Sequence, residues 1–128
     1  MSRAFDRLGR LQQAVMEAVW ELGEATVQQV RDRLGGEKTH AYTTILSVLQ
    51  KLEAAGWIEH REAGRAYVYR SVRSRHEEGK HTLRKLLERM FAGDRLLLFE
   101  NLLDDDLSPE ELDALKKMID KRRRAKRG

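Results

Sequence analysis

The sequence has no cysteine and a single proline in 128 residues. Without thiols there can be no disulfide framework, no thiolate metal site and no cysteine nucleophile. No apolar run approaches the length that spans a bilayer, and Met1-Ser2-Arg3-Ala4-Phe5-Asp6 lacks the apolar stretch of a signal peptide. A cytoplasmic protein with no membrane partner is expected. Catalytic pairings are missing as well. No Ser/His/Asp arrangement follows from spacing, and the four histidines are scattered. His76 and His81 lie five apart, about 140° round a helix, whereas a zinc-protease helix needs two histidines four apart. Lys80 occupies that place. Gly35-Gly36 follows no strand and lacks the Gly-x-x-x-x-Gly-Lys pattern of a phosphate loop, so it reads as a helix terminator. Asp104-Asp105-Asp106 reads as a solvated turn. No enzyme, metal or cofactor is expected.

Charge is present in quantity and is unevenly placed. The net charge is only +4, from 25 basic and 21 acidic residues. Residues 1–75 hold 12 Lys/Arg against 9 Asp/Glu, residues 76–120 hold 7 against 12, and the last eight hold six basics and no acid. A basic front, an acidic middle and a basic end suggest a half facing nucleic acid joined to a half with another task. A chain of this length fits one domain, or two small ones sharing a dimer interface.

Apolar spacing predicts a first helix over residues 9–22, through Leu8, Leu11, Val15, Val19 and Leu22, with Gly23 as its stop. Thr26-Val27-Gln28-Gln29 has capping-box spacing and opens a short second helix on Val27, Val30 and Leu34. A third helix follows, with Thr39 or His40 as its expected cap and Gly56 as its end. Ile45, Val48, Leu49 and Leu52 form its apolar stripe. The opposite face carries Thr43, Thr44, Ser47, Gln50 and Lys51, with no acid among them. Hydroxyls, an amide and a cation suit a polyanion, reaching phosphates and base edges in a major groove. Beyond Gly56 the period changes. Residues 57–61 and 65–70 are rich in β-branched and aromatic side chains and flank Glu62-Ala63-Gly64, a hairpin turn. Two helices in helix-turn-helix spacing followed by a hairpin make a winged helix. Trp20 and Trp57 are expected in its core.

Ser74-Arg75-His76-Glu77 is a second capping box, opening a helix through Ala92 with Leu83, Leu86, Leu87, Met90 and Phe91 on one face. Asp94 caps the next, Leu96 to Leu103, which is apolar nearly all round and includes Leu98, Phe99 and Leu102. Ser108-Pro109-Glu110-Glu111 starts the last, lined by Leu112, Leu115, Met118 and Ile119. Three short helices this rich in leucine have too little volume to bury themselves. A homodimer solves the problem. Nothing supplies the convergent polar groups of a small-molecule pocket. Lys121 to Arg127 suit the C-terminal end of the last helix's dipole or a solvated, disordered tail; the tail is the favoured reading, lending non-specific electrostatic help to DNA binding. The expected architecture is mainly α with a small β-hairpin: a winged helix-turn-helix over residues 1–73, a helical dimerisation element over 74–120, and a basic tail over 121–128.

The run from Ala41-Tyr42-Thr43-Thr44 to Glu53, followed by Gly64-Arg65-Ala66-Tyr67-Val68-Tyr69, resembles the penicillinase-repressor family. The first helix and Ala25-Thr26-Val27 fit as well. The resemblance is close over residues 8–72 and looser beyond. It implies a homodimeric winged-helix repressor on a pseudo-palindromic operator of duplex DNA, with half-sites like TACA and TGTA, controlling beta-lactamase or other antibiotic-response genes. By position, Tyr42, Thr43, Thr44, Ser47, Gln50 and Lys51 belong to the recognition helix, and Arg61, Arg65 and Tyr67 to the wing. In sensor-controlled members a membrane protease system leads to cleavage at an Asn-Phe bond in the dimerisation domain. Asn101-Leu102 sits in a similar setting, with leucine in place of phenylalanine. Copper-responsive members use a cysteine motif that this chain lacks. The competing reading is a winged-helix module that binds a protein partner without reading DNA sequence.

Overall fold

The computed structural model describes residues 4–128; Met1, Ser2 and Arg3 lie outside the described residues. After a 3₁₀ turn at Phe5–Arg7 come α1 (Arg10–Leu22), β1 (Glu24–Ala25), α2 (Val27–Arg33), α3 (Tyr42–Ala54), β2 (Ile58–Ala63), β3 (Ala66–Ser71), α4 (Arg75–Phe91), α5 (Arg95–Leu103) and α6 (Pro109–Arg127). The chain divides into two compact units, Met1–Lys85 and Leu86–Gly128, with the division inside α4.

Local chemistry sets most of the element ends. Thr26 and Gln29 form the reciprocal capping box at α2: the Gln29 N–H donates to Thr26 Oγ1 at 3.2 Å and the Thr26 N–H to Gln29 Oε1 at 2.9 Å. α3 stops in a Schellman arrangement. The N–H of Trp57 donates to the Leu52 carbonyl, that of Gly56 to the Glu53 carbonyl, and Gly56 takes φ +86°. Ser74, Asp94 and Ser108 each accept a backbone N–H at the starts of α4, α5 and α6.

In the first unit α1, α2 and α3 pack on a three-stranded antiparallel sheet of order β1-β3-β2. The expected two-stranded hairpin is thus joined by a third strand, in which Glu24 and Ala25 lie opposite Arg70 and Tyr69. Two residues between Gly23 and a helix cap carry no alternation that a sequence pattern could show. Val15, Met16, Val19, Val30, Ile45, Leu49, Leu52, Trp57, Ile58 and Tyr69 are sealed in the core. Side chains of this kind each contribute about 1.5–3 kcal/mol on burial.

The two tryptophans converge on one residue. Trp57 is fully buried with the Arg73 guanidinium 4.2 Å above its ring, and Trp20 Nε1 donates to the Arg73 carbonyl at 2.8 Å. Trp20 is partly buried and meets the edge of Phe5 at 5.3 Å between centroids.

In the second unit Leu98 is the only hydrophobic side chain that is fully buried. Met90, Leu96, Phe99, Leu102, Leu112, Met118 and Ile119 are exposed by 45% or more. One expectation fails here. Lys121 to Arg127 do not form a disordered tail but continue α6 to Arg127. Lysine and arginine are good helix formers, and cations in the final turns complement the negative end of the helix dipole.

Candidate nucleic-acid interface

The apolar stripe of α3 turns Ile45, Leu49 and Leu52 into the core. That burial fixes the helix's rotation and leaves Tyr42, Thr43, Thr44, Ser47, Gln50 and Lys51 in solvent. None of these six side chains hydrogen-bonds or ion-pairs with another part of the chain among the described residues.

The start of α3 departs from expectation. Its N-cap is Ala41, which offers no side-chain acceptor. Thr39 Oγ1 instead donates back to the Gly35 carbonyl at 3.2 Å, and His40 precedes the cap by one residue. The first amides of the helix, at Tyr42 and Thr43, therefore have no hydrogen-bond partner among the described residues. Free N–H groups at the positive end of a 13-residue helix are ready donors to a phosphate.

A groove of about 410 Å³ lies beside this face. Tyr42, Leu46 and Gln50 of α3 form one wall, Arg65, Ala66 and Tyr67 of the wing another, and Thr26, Val27 and Gln28 the third. The structure thus brings Tyr42, Gln50, Arg65 and Tyr67 together. Gln28 escapes the sequence reading, which assigns the interface to the third helix and the hairpin alone. Arg31 was missed for the same reason; its guanidinium lies 6.0 Å from the centre of the Tyr42 ring. Nothing in linear spacing signals either, since both depend on how α2 crosses α3.

The strand register separates the expected wing residues. Arg61 pairs with Val68 and Glu62 with Tyr67, so Arg61 and Tyr67 point to opposite faces of the sheet. On one face Arg61 is bound to Glu24 at 2.9 Å, and Arg70 to Glu59 at 2.5 Å. On the other, the His60 ring lies 4.5 Å from that of Tyr67 and 5.6 Å from that of Tyr69. Arg65 stands at the hairpin tip beside Gly64, whose φ of +65° the turn requires, and has no acidic partner among the described residues. Arg65 is therefore better placed than Arg61 to meet an external anion. Tyr69 is sealed beneath this face. Burial first, then the charge of Glu53, with smaller contributions from Tyr42 and Tyr67, hold its hydroxyl above the ordinary phenol value of 10.0.

In the second unit Asn101 and Leu102 are exposed in the last turn of α5, where Asn101 Nδ2 donates to the Leu97 carbonyl at 2.9 Å. Of the residues expected at a dimer seam, Leu83, Leu86, Met90, Phe99, Leu102, Leu112 and Ile119 are exposed, Leu87, Phe91 and Leu115 are partly exposed, and Leu98 is buried. No described helix is long and apolar enough to cross a membrane.

Known proteins share this pattern. The chain is 39% identical over 72 residues to the transcriptional regulator BlaI of Mycobacterium tuberculosis, in strains CDC 1551 and H37Rv. That match takes in 56% of this chain and 52% of the relative, so the chain spans about half the length of the curated relatives it matches. Among solved structures, the DNA-binding domain of the repressor BlaI superposes with a TM-score of 0.50 at 23% identity, covering 59% of this chain and 90% of that one. A MarR family protein from Bacillus stearothermophilus gives a TM-score of 0.50 at 16% identity, covering 95% and 77%. These likenesses identify the fold as a winged helix. The penicillinase repressor family model matches residues 8–121, nearly the whole chain, and the chain belongs to that family.

Proposed function

We propose that the chain is a homodimeric, sequence-specific DNA-binding repressor. The observation that carries this reading is the solvent face of α3. Thr43, Thr44, Ser47, Gln50 and Lys51 stand there without partners or acids, next to an uncapped helix start and a wing cation. Thr43, Thr44, Ser47 and Gln50 face base edges in the major groove. Lys51 and Arg65 meet phosphates, and Tyr42 and Tyr67 wall the groove between helix and wing. Arg61, shared with Glu24, contributes less. Residues 1–73 act as the DNA-binding domain and residues 74–120 as the dimerisation element, whose exposed leucines are covered by a second copy. Two recognition helices then read half-sites of the TACA and TGTA type, spaced by the dimer.

Control of antibiotic-response genes and release by a sensor-protease system are the finer readings that family membership brings. The Asn101-Leu102 bond lies in helical backbone, so a protease must first unwind the end of α5.

The test is binding of the full chain to a duplex carrying TACA-spacer-TGTA and to a scrambled duplex, over a salt series. Selective binding that weakens steeply with salt is the expected result. Equal, weak binding to both duplexes, together with capture of a protein partner independent of DNA, supports the protein-interaction module instead.

A further inference from the structure

Arg73 stands in the strap between β3 and α4 and is held from several sides. Its N–H and that of Val72 both donate to the Trp57 carbonyl, at 3.4 and 2.8 Å. Its own carbonyl accepts from Trp20 of α1, and its guanidinium lies over the Trp57 ring. The guanidinium also reaches into α4, where Nη1 stands 3.4 Å from Glu78 Oε1. Only 23% of the Arg73 side chain and 14% of the Glu78 side chain are exposed, and no other ion pair among the described residues is so enclosed.

Glu78 belongs to a stripe. In residues 75–85 the half-buried positions are Glu78, Thr82 and Lys85, spaced i, i+4 and i+7 on one helical face. Lys85 Nζ lies 3.6 Å from Asp6 Oδ1, and α4 buries no side chain fully. The first turns of α4 are therefore seated on the winged helix through an acid, a hydroxyl and a cation rather than an apolar stripe. Apolar contact is non-directional and tolerates sliding, whereas an enclosed ion pair specifies one register. From this seat α4 continues without a break into the second unit. On an operator with two half-sites, each base pair added between them turns one site against the other by about 35° and moves it about 3.4 Å. We infer that Arg73 and Glu78 form a positioning latch that sets operator spacing, by fixing α4 to the DNA-reading unit at one angle. This rests on the dimeric DNA-binding reading above and assigns its spacing selectivity to two residues that touch no DNA.

The experiment measures binding of the full chain to TACA-spacer-TGTA duplexes whose spacer is varied one base pair at a time, and to a duplex with a single half-site. The parent prefers its best spacer over the two neighbouring lengths by about tenfold or more. Glu78→Gln keeps the shape and removes the charge. It lowers that preference to about threefold or less and leaves half-site affinity within about twofold of the parent. Glu78→Lys, which sets a cation against Arg73, lowers the preference at least as far. Glu77→Gln, the same change at the exposed neighbour, leaves it intact. A role limited to holding the fold would lower operator and half-site binding together and leave the spacer ratio unmoved. An unmoved ratio in both Glu78 variants, or a parent that accepts all spacers alike, overturns the latch while leaving the repressor reading standing. A parent that binds no duplex selectively overturns both.

Discussion

Glu53 in the last turn of α3 grips His60 of β2 with both carboxylate oxygens. The His60 Nδ1 lies 2.6 and 2.7 Å from them, and the His60 backbone N–H donates to Oε2 at 3.2 Å. His60 in turn lies against Tyr67. α3 and the β2–β3 hairpin are therefore fastened together beside Tyr67, which lines the groove.

Glu53→Ala should release that fastening. Both side chains are about one-third exposed (34% and 30%), so the cost in stability should stay below about 1 kcal/mol. The loss should appear in DNA affinity instead, by a few-fold, as the wing loses its fixed angle. Fluorescence anisotropy on an operator duplex reads it; unchanged affinity would show that the wing holds its place without Glu53.

Thr44→Ala and Arg65→Ala should act differently. On the proposed function the first removes a hydroxyl facing base edges, so it should erode discrimination between operator and random duplex, at a cost of about 1–3 kcal/mol on the operator. The second removes the proposed phosphate contact, so both duplexes should bind more weakly and the salt slope should flatten by about one. An unaltered slope in Arg65→Ala would remove the wing from the interface.

Two glycines should respond with opposite signs. Gly56 holds φ +86° in the Schellman turn, where any side chain is strained, so Gly56→Ala should destabilise the fold by about 1 kcal/mol. Gly79 lies inside α4 with open space where a Cβ would stand, so Gly79→Ala should stabilise by about 0.5–1 kcal/mol. Thermal melting of the two variants beside the parent decides; a shared sign would contradict the geometry at one of the positions.

Tyr69 predicts an alkaline weakness. Its hydroxyl is held above 10.0 in the folded chain, so the folded state binds that proton more tightly than the unfolded chain does. The contribution is fully present below the unfolded value and is lost as pH rises through the raised folded one. Urea melts at a series of alkaline pH values should show the decline, and Tyr69→Phe should lessen it. Parallel declines in parent and variant would assign the loss to other groups.

Much of this was legible in the chain. The Thr26/Gln29 box, the Gly56 stop, the Asp94 and Ser108 caps and the apolar stripes of α1 and α3 depend on neighbours within about five residues, and spacing reveals such neighbours. What escaped depends on distance. β1 exists because β3 offers it an edge, and Arg31 approaches Tyr42 because two helices cross. Arg61 is tied to Glu24, 37 residues away. The missing cap at α3 is a different kind of departure. A helix start that lacks its expected local partner and faces solvent departs from local preference in the way the proposed DNA contact would favour.

Trp20 and Trp57 are the only two indoles in the chain, and both touch Arg73, two residues before α4 begins. Excitation of tryptophan therefore reports on a place both rings share: the strap of chain that leaves the sheet and enters α4. Any event that tugs on that strap should register as a change in emission, so the molecule carries its own optical gauge of strain at the entry to α4.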